Sequence, residues 1–210
     1  MTIVIGRSFS REAAWVGVRL TRLRTNPAAD IIAGVDRHSG AKDSAHGFPK
    51  IRHEVSSMAG APTLKVGLFG IGLDAYWPQF EGLEARLQGY LNRTAQVLTR
   101  PGVEVVNLGL IDNPEKALEA GHLFRQADVD LIFLHVTTYA RSSTVLPVVR
   151  RAKVPVVVLT VQPGKAIDYA AFNRLSDRTK MTGEWLAWCT SCCVPEIANV
   201  FNRCRIPFAQ

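Results

Sequence analysis

The sequence predicts an α/β fold of the Rossmann or flavodoxin-like type, a doubly wound parallel sheet, over residues 63–210. Short runs of Val, Leu and Ile, typical of strands that are buried on both faces, alternate with amphipathic helical segments. Each run also ends in a short loop of polar, aromatic or glycine residues, which is where parallel α/β sheets bind their ligands. We therefore expect functional contacts at these loops.

The first strand is predicted at residues 64–70, followed by a loop at 71–77. Pro78 suits the first turn of a helix, because its missing N–H has no partner there in any case. Apolar residues at three- and four-residue steps predict the buried face of this helix: Leu83, Leu87, Tyr90, Leu91, Ala95 and Leu98.

The later elements follow the same alternation. The remaining strands are predicted at 103–108, at 131–136, at 156–161 and in a segment that begins at 206–208. The remaining helices are predicted from Asn113 and Pro114 to about Gln126, from Ser142 or Ser143 to Arg151, and over 183–205. Pro195 either kinks this last helix or opens a second one.

Residues 1–62 have a different texture, without a lasting period of two or 3.6 residues. Arginines with few acidic neighbours suggest an organelle transit peptide, and a disordered or spurious extension is the preferred interpretation. Met58 precedes small residues that run directly into the first strand, so we expect Met58 to be the physiological start.

The net charge of +7 does not predict a nucleic-acid-binding protein. Residues 1–63 hold nine Lys or Arg and five Asp or Glu, whereas residues 64–210 hold sixteen and thirteen, so the predicted domain is only mildly basic. It lacks a basic stripe with stacking aromatics. No apolar run is long enough to predict a membrane span.

All four cysteines fall in the last twenty-two residues: Cys189, Cys192, Cys193 and Cys204. This layout does not suit a disulfide-stapled secreted fold and favours a reducing cytoplasm. The Cys-x-x-Cys-Cys cluster has the residue types for zinc binding or thiol exchange. Its helical spacing beside Trp185 and Trp188 favours buried structural thiols.

Cofactor and catalytic motifs are weak. The glycines of 67–72 do not have the dinucleotide-binding spacing, and the second strand finishes at Asn107-Leu108-Gly109 rather than near an acidic residue. His135 ends the third strand, a position where ligands bind, but it has no evident nucleophile partner. The sequence therefore does not support a hydrolase triad.

Several motifs at the predicted strand ends, taken together, resemble the L-fucose/L-arabinose isomerase family. They are Tyr76-Trp77-Pro78-Gln79-Phe80, Thr137-Thr138-Tyr139, Val161-Gln162-Pro163, Gly183-Glu184-Trp185 and Cys193-Val194-Pro195-Glu196. The resemblance covers about residues 64–208 and corresponds to the amino-terminal, Rossmann-like portion of that family.

The resemblance implies an aldose–ketose isomerase of carbohydrate metabolism that uses a divalent metal, usually manganese. In the family the catalytic and metal-binding groups lie in later domains, so we expect no catalytic residue, metal site or activity in this chain alone. By position, the residues expected to contact a neutral sugar are Trp77, Gln79, Thr138, Tyr139 and Gln162. The expected partners are further copies of the chain or a complementary carboxyl-terminal polypeptide. The alternative is a stand-alone, flavodoxin-like sugar-binding module.

Overall fold

The computed structural model describes residues 2–6, 15–19 and 63–210, which belong to two compact units, Met1–Val55 and Ser56–Gln210. In the first unit, strands β1 (Thr2–Gly6) and β2 (Trp15–Arg19) pair antiparallel. Apart from these two strands, residues 1–62 lie outside the described part of the chain. The predictions of a transit peptide, of a disordered or spurious extension and of a start at Met58 fall on those residues.

The second unit is built on a five-stranded parallel sheet. Its strands are β3 (Leu64–Ile71), β4 (Val103–Ile111), β5 (Leu131–His135), β6 (Val156–Leu159) and β7 (Phe208–Ala209). Their order across the sheet is β4-β3-β5-β6-β7, which is the flavodoxin-like order. The predicted fold class is therefore confirmed.

Six helices and one 3₁₀ turn connect these strands in the described part of the second unit. The 3₁₀ turn is Asp74–Tyr76, and the helices are α1 (Leu83–Leu98), α2 (Pro114–Gln126), α3 (Ser142–Ala152), α4 (Tyr169–Asn173), α5 (Arg178–Leu186) and α6 (Val194–Arg203). The side chain of Asn113 caps α2 by accepting from the backbone N–H of Lys116, as its position before Pro114 predicts. None of the described helices is long and apolar enough to cross a membrane.

Two apolar clusters hold these layers together. The larger joins side chains of β3, β5 and β6 to helices α2, α3 and α6; its bulky members include Phe69, Phe124, Leu134, Ile197 and Phe201. The smaller packs α1 against the end of α5 through Leu83, Leu87, Tyr90, Leu186 and Ala187. Burial of these side chains supplies the main stabilisation of the fold, at roughly 1.5–3 kcal/mol for a fully buried large residue.

Two helix boundaries differ from the prediction. The first helix begins at Leu83 rather than at Pro78, because Gly82 adopts a left-handed conformation (φ 76°) that breaks the chain direction. The segment predicted as one helix over 183–205 is two helices, α5 and α6, separated by the turn 187–193. Pro195 lies in the first turn of α6, so it opens a second helix rather than kinking one.

Candidate functional site

The strand order places a topological switch point between the loops that follow β3 and β5, and we call the space between these two loops the crevice. From β3 the chain passes through α1 to β4 on one side of the sheet, whereas from β5 it passes through α3 to β6 on the other side. The two loops, residues 72–82 and 136–141, therefore diverge at the carboxyl ends of adjacent strands. Doubly wound sheets bind ligands at such a switch point.

Two buried threonines fix the walls of this crevice. The Thr137 hydroxyl accepts from the backbone N–H of Ile71 at 3.1 Å and donates to its carbonyl, which ties the loop after β5 to the end of β3. The Thr138 hydroxyl donates to the carbonyl of Leu186 at 2.8 Å, and the Cys193 thiol donates to the carbonyl of Thr138 at 3.8 Å. The turn between α5 and α6 is therefore attached to the same edge of the sheet.

Tyr76, Tyr139 and Arg141 belong to the two loops that border the crevice. Tyr76 belongs to the loop after β3, and the other two belong to the loop after β5. Burial raises the pKa of the Tyr76 hydroxyl above its ordinary value; Tyr139, Cys189 and Cys192 raise it further, whereas the Arg141 cation lowers it. The side chains of all these residues are therefore close enough to interact electrostatically. Both tyrosines are half-buried and Arg141 is exposed, so this group borders solvent.

A buried carboxylate braces the loop after β3. Asp112 directly follows β4 and is only 2 % exposed. Its Oδ2 accepts from the indole N–H of Trp77 and from the ammonium group of Lys116, both at 2.8 Å. Its Oδ1 is buried and has no hydrogen-bond partner in the described part of the chain. The Trp77 ring also covers Gly72 so closely that a Cβ there would lie 2.6 Å from it.

The five residues predicted to contact a sugar occupy different environments. Trp77 donates to Asp112, and the exposed Gln79 donates its amide to the carbonyl of Ala75. Thr138 is fully buried with its hydroxyl bonded to a carbonyl, whereas Tyr139 borders the crevice. Gln162 is exposed on the loop after β6. A role of these five residues in binding stays a prediction.

Sequence reasoning missed Asp112 and Arg141. The predicted second strand ended at residue 108, whereas β4 continues to Ile111, so Asp112 was not recognised as a residue at a strand end. Arg141 directly precedes α3, where Ser142 or Ser143 was expected to cap the helix; the N-cap is Arg141, and it has no side-chain capping bond. The available signal for Arg141 was its position, because a cationic residue between the end of a strand and the start of a helix lies where α/β sheets bind ligands.

His135 is a core residue. It is 1 % exposed, its Nδ1 lies 3.1 Å from the Thr94 hydroxyl, and its Nε2 has no partner in the described structure. Burial lowers the pKa of this imidazole to about 4, so the ring is neutral at pH 7. His122 is exposed and accepts a hydrogen bond from Arg151. Within residues 63–210 neither histidine pairs with a carboxylate, so neither forms a hydrolytic triad.

The cysteines do not share one helix face. Cys189, Cys192 and Cys193 lie in the turn between α5 and α6; Cys189 and Cys193 are buried, whereas Cys192 is exposed. Among the described residues, no group of three or more His, Cys, Asp or Glu side chains is arranged to hold a metal ion.

A shallow groove of about 330 Å³ lies elsewhere, lined by Phe124, Arg125, Asp128, Val129, Ala152, Lys153 and Val154. These residues lie at the ends of α2 and α3 and just before β5 and β6, at the amino-terminal edge of the sheet. The crevice at the opposite edge is the better candidate, because ligands of open α/β sheets bind at the carboxyl ends of the strands.

No family model matches this sequence, and no curated protein matches it. Among solved structures, a putative acylhydrolase from Bacteroides fragilis NCTC 9343 is similar at 12 % identity and a TM-score of 0.37, covering 70 % of this chain and 69 % of that chain. A GDSL-like lipase from Bacteroides thetaiotaomicron VPI-5482 is similar at 13 % identity and a TM-score of 0.30, covering 69 % and 66 %. At these TM-scores neither likeness carries an argument about activity.

The comparisons contradict the resemblance to the L-fucose/L-arabinose isomerase family. No family model of an isomerase and no curated isomerase matches this sequence. The aldose–ketose isomerase function is withdrawn, together with manganese and the alternative of a sugar-binding module. Short strand-end motifs rich in Gly, Pro and aromatic residues suit the ends of many parallel strands, so they indicate a fold more than an activity.

Proposed function

We propose that residues 63–210 form a domain that binds a small organic anion in the crevice between the loops after β3 and β5. The proposal is carried by the electrostatic influence of Tyr139 and Arg141 on Tyr76, which places these residues of the two loops near one another at the switch point of the sheet. The two loops that supply these side chains are held in place by the bonds of Thr137 and Thr138.

The chemistry of the three side chains suits a carboxylate or a phosphate monoester. The guanidinium of Arg141 presents a planar set of donors that matches such groups, and it forms no ion pair with the carboxylates of the described chain. Two tyrosine hydroxyls add donors beside it, and their half-buried rings offer an apolar surface to the rest of the ligand. The ligand therefore needs an anionic group that binds Arg141 and an apolar part that packs against the tyrosine rings.

The proposal is tested by calorimetric titration of the chain with four probes: succinate, benzoate, ribose phosphate and neutral L-arabinose. We expect at least one of the three anions to bind and L-arabinose to bind more weakly. Arg141→Ala is expected to weaken anion binding by about tenfold or more, since a charge-assisted hydrogen bond contributes roughly 1.5–3 kcal/mol.

Arg150→Ala is the matched control, because Arg150 is exposed on the last turn of the same helix, α3. It removes the same charge from the protein and is expected to leave binding unchanged. Equal losses for both variants would mean that only the net charge matters. Failure of all three anions to bind, with the chain folded, would refute the proposal.

Three further expectations from the sequence can be tested on the same purified protein. We propose that the chain works in a reducing cytoplasm, which suits its free thiols. Assembly with further copies or with a complementary polypeptide stays a prediction, as does the absence of nucleic-acid binding. Light scattering of the purified chain measures its oligomeric state directly.

A further inference from the structure

The turn between α5 and α6 places two cysteines side by side. Cys192 is exposed, and its thiol donates to the carbonyl of Cys189 at 3.3 Å. Cys189 is 6 % exposed, with its thiol adjacent to that of Cys192. The turn therefore holds the Cys192 side chain against the backbone of Cys189.

The third cysteine of the cluster has a different partner. Cys193 is 1 % exposed, and its thiol donates to the carbonyl of Thr138 on the loop after β5. This bond engages the Cys193 thiol with the loop after β5. The structure therefore selects Cys189 as the thiol that can react with Cys192.

We propose that Cys189 and Cys192 are a redox-active pair that forms a reversible disulfide by exchange with a small disulfide of the glutathione class. This modification goes beyond the proposed anion binding and does not depend on it. The two-residue spacing between the cysteines is that of thiol–disulfide exchange motifs.

The exchange proceeds in two steps. The exposed Cys192 loses its proton to solvent and attacks one sulfur of the small disulfide; a mixed disulfide forms and one small thiolate leaves, taking up a proton. The Cys189 thiolate then attacks the Cys192 sulfur and expels the second small thiolate. In sum, the two cysteine thiols are oxidised to one disulfide, and the small disulfide is reduced to two thiols.

The environment of Cys189 sets the order of these steps. Burial raises the pKa of the Cys189 thiol to about 12, with further contributions from the neighbouring Cys192 and Cys193. Since the thiolate is the nucleophile, Cys189 reacts second and slowly near neutral pH. The second step accelerates as the pH rises.

The test incubates the full chain with oxidised glutathione, unfolds it in guanidinium chloride so that the buried thiols react, blocks the remaining thiols there with N-ethylmaleimide and digests with trypsin. Trypsin cuts after Lys180 and Arg203, so Cys189, Cys192 and Cys193 share the peptide 181–203 and Cys204 is released separately. We expect the peptide to lose two hydrogens and to keep one blocked thiol, located at Cys193 by fragmentation. Dithiothreitol should restore blocking of both Cys189 and Cys192.

Cys192→Ser and Cys204→Ser are the matched variants, because both positions are exposed and tolerate a polar residue. Cys192→Ser should abolish the internal disulfide, whereas Cys204→Ser should leave it unchanged. The proposal is overturned by a glutathione adduct that persists on Cys192, by a disulfide that includes Cys193 or Cys204, or by full blocking of Cys189 and Cys192 after the folded chain has been incubated with oxidised glutathione and then unfolded. Circular dichroism establishes that each variant is folded.

Discussion

Trp77 donates its indole N–H to the carboxylate of Asp112 at 2.8 Å, which ties the loop after β3 to the end of the edge strand β4. Because Asp112 is buried, the cost of removing its carboxylate from water is offset by this bond and by the bond from Lys116. The hydrogen bond between Trp77 and Asp112 thus holds the loop after β3 in place, and this loop positions Tyr76 at the crevice.

Trp77→Phe should lower the free energy of unfolding by about 1–2 kcal/mol, since it removes one donor from a buried carboxylate. Urea unfolding followed by circular dichroism measures the change. Trp185→Phe is the matched control, because Trp185 is 52 % exposed; it should change the stability by less than about 0.5 kcal/mol. Equal effects in the two variants would contradict a structural role for the bond.

The buried His135 should make the fold sensitive to acid. Its pKa is lowered to about 4 by burial, whereas the unfolded chain has the ordinary value near 6.5. The unfolded state therefore binds more protons between these values, so stability is full above about pH 6.5 and falls as the pH drops toward 4. The loss attributable to this residue reaches about 3 kcal/mol.

His135→Gln should flatten the pH dependence of the unfolding free energy over this range, because glutamine does not ionise. His122→Gln is the matched control and should retain the full dependence, since His122 is exposed. Urea unfolding at a series of pH values gives both curves. Identical slopes for wild type and His135→Gln would show that the pKa of the imidazole does not differ between the folded and unfolded states.

The ion pair between Arg86 and Glu184 joins α1 to α5. Arg86 Nη2 donates to Glu184 Oε1 at 3.1 Å, and Arg86 lowers the pKa of the Glu184 carboxyl. The side chains are 37 % and 31 % exposed, so solvent screens their attraction. A double-mutant cycle with Arg86→Met and Glu184→Gln should give a coupling of about 0.5–1 kcal/mol that weakens as salt is added. A coupling that does not respond to salt would mean that the pair is effectively desolvated.

Removal of Arg141 should shift the titration of Tyr76. The Arg141 cation opposes the other causes that raise the pKa of this phenol, so Arg141→Ala should raise that pKa further. The ultraviolet absorbance change of the tyrosines with pH, taken as the difference from a Tyr76→Phe variant, isolates this group. Arg150→Ala should leave the titration where it was, and a shift of equal size in that control would argue against proximity of Arg141 to Tyr76.

The fold was predictable because its strands are short apolar runs and Asn113 is a clear helix cap. The end of β4 could not be predicted, because Gly109 takes a positive φ (76°) and the register of β3 with β4 shifts nearby. These features break the simple run of apolar residues, and the predicted strand stopped short of Asp112. Local sequence signals do not reveal such a bulge.

The site was less predictable than the fold because it depends on contacts between distant segments. Thr138 follows a strand, as a ligand-binding residue does, but its hydroxyl is already bonded to the carbonyl of Leu186, 48 residues along the chain. Arg141 gains its role only because the strand order brings its loop beside the loop of Tyr76. Both outcomes follow from topology, which short motifs do not encode.

The most direct test of the proposed binding site is an amide NMR titration of the labelled, assigned chain with succinate, benzoate and ribose phosphate in turn. We expect at least one of these anions to shift the resonances of Tyr76, Tyr139 and Arg141, with little change along the groove at Arg125 and Lys153. Shifts confined to that opposite groove, or no response to any of the three anions, would contradict the assignment of this crevice as the binding site.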